Sequence, residues 1–148
     1  MREPKSSSME RDKKHGWDHE AGTKDGKDVS YAIFDKPAKN KKQIYVKLPD
    51  GSFRFSPRED VNPAARRRRG RTTLPHSMLG KGRKVIGAGE CETNQDGKII
   101  RADNFSGHYQ PNEENLQETK DNMEKQGLAN ENAKFEVFDK SGKVIKKL

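Results

Sequence analysis

The sequence predicts an α+β protein: a mainly antiparallel β-sheet built from hairpins, with one surface helix near residues 112–126. Three observations carry that prediction. Gln43-Ile44-Tyr45-Val46-Lys47-Leu48 and Phe53-Arg54-Phe55 flank the turn Pro49-Asp50-Gly51-Ser52, and alternating apolar residues on either side of Asp-Gly are a strong hairpin signal. Residues 84–92 and 98–102 flank Asn94-Gln95-Asp96-Gly97 in the same way. At Asn112-Glu113-Glu114, a capping asparagine and two acids satisfy the free N–H groups of a helix start and oppose its macrodipole.

Residues 1–28 read as a disordered polar tail, rich in Lys, Ser, Asp and Gly, with Trp17 almost its sole large apolar group. His15 and His19 flank that tryptophan. Four apart, they suit a metal on one helix face, but Gly16 and Gly22 oppose a helix and no second ligand pair follows. A solvated tail is expected there. Residues 29–148 then form one small domain. Val29-Ser30-Tyr31-Ala32-Ile33-Phe34 is β-rich and, with the first hairpin, makes three strands by about residue 56. A basic loop spans 57–73, where Pro57 and Pro63 limit regular structure. The small residues Gly87, Ala88 and Gly89 mark a strand crossed closely by other backbone or by a ligand. The helix ends at Gly127, and its thin apolar face of Leu116, Met123 and Leu128 places it on the surface. Residues 134–138 and 143–145 close the chain as a last hairpin around Asp139-Lys140-Ser141-Gly142.

The hydrophobic fraction of 28% against 36% charged residues leaves material for one small core within 148 residues. A net charge of +8, clustered rather than even, favours a polyanionic partner such as RNA. The densest cluster is Ala64-Ala65-Arg66-Arg67-Arg68-Arg69-Gly70-Arg71, and the planar fork of arginine suits phosphate. Such contacts hold the backbone without reading bases. With a single cysteine, Cys91, no internal disulfide forms. Its flanking Glu90 and Glu92 disfavour the thiolate, so it reads as a strand residue. No apolar run suits a membrane span or signal-peptide core. The expectation is a monomer acting in the cytoplasm, or one exported by a route without a classical signal.

Chemistry concentrates in two segments. Ser106-Gly107-His108-Tyr109-Gln110-Pro111 places a hydroxyl, an imidazole and a phenol together between a strand and the helix. Leu74-Pro75-His76-Ser77 repeats the imidazole–hydroxyl pairing. The run Gly80-Lys81-Gly82-Arg83 offers backbone N–H groups and two cations to a phosphate, but lacks P-loop or Rossmann spacing.

These segments, with Ala88-Gly89-Glu90 and Asp96-Gly97-Lys98-Ile99, stand in the order and near the spacing of a known pattern. Residues 31–126 resemble the core domain of the plant IQ-motif calmodulin-binding protein family. The resemblance implies the fold and a shared pocket, and relatives among bacterial toxin-like and effector-like modules. No IQ segment is present, so calmodulin is not expected as a partner. The pattern has a basic residue where Gln110 stands, and the Arg66–Arg71 run lies outside it.

Two histidines with hydroxyls and arginines are the equipment of a metal-free ribonuclease. On that reading His76 and His108 exchange protons, each transfer contributing ~10²–10⁴-fold in rate. Tyr109 or Ser106 holds the phosphate, Ser77 accompanies His76, and Arg71 or Arg83 neutralises the developing charge. Arg66, Arg67, Arg68, Arg69 and Lys81 complete the RNA contacts, and no cofactor or metal is called for. A small basic toxin, paired with an immunity or inhibitor protein, is the concrete version. An alternative casts His76, Tyr109 and Glu90 or Glu136 as an ADP-ribosyltransferase site using NAD. A third is a non-catalytic module binding nucleic acid or protein, in which His108 only ties its loop.

Overall fold

The computed structural model describes residues 4–58, 73–106, 109, 112–139 and 141–148. His108, Gln110, and Arg66, Arg67, Arg68, Arg69 and Arg71 lie outside the described residues, as does most of the basic loop.

The fold is α+β, and its centre is a six-stranded sheet. Strands β4 (Lys42–Lys47) and β5 (Phe53–Pro57) form the first hairpin; β6 (Gly87–Thr93) and β7 (Ile99–Asp103) form the second. Helix α3 (Glu113–Lys125) follows, then β8 (Ala129–Phe138) and β9 (Val144–Lys147). Across the sheet the order is β5-β4-β6-β7-β8-β9. Every neighbouring pair is antiparallel except β7 and β8. That parallel pair departs from the all-hairpin expectation. The chain returns through α3 to start β8 beside β7, the kind of crossover that parallel strands require.

β4 is buried on both faces, and its alternation divides the core in two. Ile44 and Val46 join Leu74, Met78, Leu79, Val85 and Ala88 on one side. Tyr45 joins Phe53, Phe55, Cys91, Ile99 and Phe135 on the other, beneath Leu116 and Met123 of α3. Helix α3 begins at Asn112, whose side chain accepts from the Asn115 N–H while the Asn115 side chain accepts from the Asn112 N–H. Its inner face also includes Thr119, at the intervening turn between Leu116 and Met123.

Two expectations for the first third of the chain are overturned. Residues 4–28 are folded: α1 (Ser6–Lys14) leads into a three-stranded sheet of β1 (Trp17–Asp18), β2 (Thr23–Lys24) and β3 (Lys27–Asp28). Trp17 is 2% exposed and belongs to the first core cluster. One indole can organise a polar segment because it buries so much area. The Lys24 ammonium lies 4.8 Å from its ring centroid and donates to the His15 carbonyl. Residues 29–34 are likewise not a strand. Val29 and Ala32, three apart, both turn inward around the 3-10 turn Ser30–Ala32, leaving Tyr31 exposed. Phe34 alone pairs with the sheet, through reciprocal backbone hydrogen bonds of 2.8 Å to Phe55. No helix among the described residues is long and apolar enough to cross a membrane.

Candidate functional site

The short helix α2 (His76–Leu79) starts after Pro75, and all four of its residues are buried. His76 Nε2 lies 2.6 Å from the Gly89 carbonyl oxygen. A carbonyl only accepts, so this nitrogen carries the proton and fastens α2 to β6. Ser77 Oγ meets His19 Nε2 at 2.8 Å. The serine therefore pairs with a histidine from the supposed tail, a partner 58 residues away. Local pattern held no trace of that contact beyond the isolated Trp17 two residues earlier.

The Gly80–Arg83 run does not form a phosphate cradle. The N–H groups of Gly80, Lys81, Gly82 and Arg83 donate to the carbonyls of His76, Met78, Ser77 and Gly80. They close the end of α2 instead, with Lys81 and Gly82 at positive φ. What the run presents outward is charge: Lys81, Arg83 and Lys84 are exposed.

Tyr109 is 2% exposed, and its hydroxyl donates to the Arg83 carbonyl at 3.0 Å. Its N–H donates to Ser106 Oγ at 3.3 Å. Burial pushes the phenol well above its ordinary pKa, keeping it a neutral donor. A side chain at Gly80 would put Cβ 2.6 Å from that hydroxyl. The glycine thus makes room for the tyrosine. The structure brings His76, Ser77, Lys81, Arg83, Ser106 and Tyr109 into one region. Their geometry fastens loops together: each of the three side chains His76, Ser106 and Tyr109 is held to backbone.

Beneath this region sits a carboxylate that pattern reading passed over. Asp103 ends β7 with its side chain fully enclosed. Its Oδ1 accepts from the Glu90 and Phe105 N–H groups, both at 2.9 Å, and Oδ2 meets Arg101 at 3.1 Å. Burial outweighs these stabilising partners and raises its pKa to about 6. The Tyr45 hydroxyl donates to the Asp103 carbonyl at 2.5 Å. That same carbonyl would lie 2.0 Å from a Cβ on Gly89, so the small-residue strand is crossed by backbone, not by a ligand. Burial is also the main reason the Cys91 thiol is pushed up, with Asp103 adding to the flanking acids. Glu90 is paired with Arg58 and Glu136 with Arg101, so both acids of the NAD reading are engaged elsewhere.

Two clefts lie between the N-terminal segment and residues 81–84. One cleft of about 780 Å³ is walled by Trp17, His19, Lys13, Lys81 and Gly82, with Asp18, Glu20 and Asp25 along the same wall. An adjoining cleft of about 320 Å³ has Lys13, Arg83 and Lys84 against the single acid Glu10. His19 is the one histidine on either wall among the described residues.

The chain matches no family model, no curated protein and no solved structure.

Proposed function

We propose that this protein is an RNA-directed module that holds the sugar–phosphate backbone through exposed cations. The observation that supports this most is the convergence of Lys13, Arg83 and Lys84 on one small cleft, with Lys81 on the adjoining wall. The buried His76, Ser106 and Tyr109, each bonded to backbone, suit a framework better than a reaction centre. A toxin or effector context, with an inhibitor protein as partner, is part of the same proposal.

One contact favours a second reading, metal-free cleavage of the bound RNA. His19 stands on the cleft wall against Ser77, supplying an imidazole beside the cations. On this reading His19 takes the acid–base place first given to His76, with His108 as the other candidate.

The test uses labelled mixed-sequence RNA with the intact chain. Binding should weaken steeply as salt rises from 50 to 200 mM, since each phosphate contact releases counterions. RNA that stays full length while bound supports the module; cut RNA, restored to full length by His19→Ala and His108→Ala, supports the enzyme. The absence of both binding and cleavage at 50 mM salt refutes both readings.

A further inference from the structure

We infer that residues 31–42, together with the end of β5, form a surface for single-stranded RNA. This rests on the RNA reading above and names the form of nucleic acid that reading leaves open. The surface is separate from the clefts beside residues 81–84.

The first observation is aromatic exposure. Tyr31 is 61% and Phe34 46% exposed, in a chain whose other described aromatics, apart from Phe105, are mostly enclosed. Phe105 is stacked on Phe138, with centroids 5.5 Å apart. Two large aromatic side chains three residues apart thus present most or much of their surface to solvent. Phe34 is also held firmly. Its N–H and carbonyl both bond to Phe55, which fixes its backbone along the β5 edge. Val29 and Ala32 are buried on either side of Tyr31 and fix the turn that presents it.

The second observation is charge. Between residues 31 and 58 stand seven lysines and arginines against two carboxylates, Asp35 and Asp50. Asp35 is neutralised by Arg54. Of the seven cations only Lys47 is buried; Lys36, Lys39, Lys41 and Lys42 are exposed. After the single bridge of Phe34 to Phe55, the chain bends at residues 35–36 and reaches the start of β4 and the end of β6. Ala38 receives Gln43 and Thr93, Asn40 donates to the Asn94 carbonyl, and the Lys41 carbonyl accepts from Thr93. Arg58 donates from its backbone to the Lys42 carbonyl, bringing the two cations side by side. Lys42 and Arg58 each have an acid on β6, Glu92 and Glu90. Lys36 and Lys39 therefore lead the electrostatic contribution, with the exposed Lys41 beside them.

Exposed rings beside flexible cations are the arrangement that holds unpaired nucleotides. Bases stack on the rings while the lysines follow the phosphates. A duplex keeps its bases stacked inside and offers the rings nothing, so the surface selects single strands.

The experiment measures anisotropy of a labelled 12-nucleotide 2′-O-methyl oligouridine, which resists cleavage, and of a 12-base-pair RNA duplex. It uses the whole chain, the Tyr31→Ala/Phe34→Ala double variant and a Lys36→Ala/Lys39→Ala/Lys41→Ala triple variant, with melting temperatures as a fold check. The wild type should prefer the single strand. The double variant should lose roughly tenfold or more on the single strand and little on the duplex. The triple variant should make the log–log salt slope shallower by about 2. Equal single-strand binding by the double variant and wild type overturns the surface and leaves the RNA reading standing. So does displacement of the oligouridine by polyglutamate at matched charge, which would assign the surface to an acidic protein. Failure of the wild type to bind either RNA overturns the RNA reading as well.

Discussion

Replacing Trp17 by alanine tests whether the N-terminal segment belongs to the fold. Trp17 is 2% exposed and shares a cluster with Val29, Leu74, Met78 and Leu79. Truncating a buried tryptophan costs roughly 3–5 kcal/mol, part lost transfer energy and part cavity. For 148 residues the unfolding entropy is about 310 cal/mol/K, so the melting temperature should fall by roughly 10–16 °C. Trp17→Phe should recover most of that, since the indole N–H has no acceptor among the described residues. Circular dichroism melts give the shift. Because Trp17 is the sole tryptophan, its emission gives an independent reading and should be blue-shifted and shielded from quencher in the wild type. A shift below about 2 °C, with water-like emission, would mean that residues 4–28 do not pack on the sheet, and the reasoning would be wrong.

Two further predictions concern the framework under the candidate site. Asp103 keeps its proton in the folded protein up to about pH 6, while an unperturbed aspartate releases it near 3.8. Its contribution is thus fully present below the lower value and is lost as pH rises through the upper one, to the extent of about 3 kcal/mol. Asp103→Asn keeps an oxygen for the two N–H donors, so the gap between variant and wild type in urea midpoints should change across pH 4 to 7. A constant gap would show that Asp103 does not titrate there. Gly89→Ala would force a methyl into the Asp103 carbonyl and should cost about 3 kcal/mol; an unchanged urea midpoint would refute the close approach of β6 to that carbonyl.

The parts of the fold set by near neighbours were legible in the sequence. Asp50-Gly51 and Asn94–Gly97 turn as expected because Gly51 and Gly97 supply positive φ at the bends. Asn112 caps the helix three residues from its partner Asn115, a bond entirely within one turn. The disfavoured Cys91 thiolate was also visible, although burial contributes more than the flanking acids.

What only the tertiary structure decided are the pairings between distant segments. A polar stretch with one tryptophan carries no periodicity, so its folding depends on a cavity built from residues 29 to 85. The parallel β7–β8 pair was hidden because a helix between two strands does not state where the second returns. Above all, His76 and Ser77 look like one imidazole–hydroxyl unit in the chain. Packing separates them: His76 turns to Gly89 of β6, and Ser77 turns to His19. Adjacent side chains on a short buried helix point in different directions, and whichever neighbour each one meets decides its chemistry.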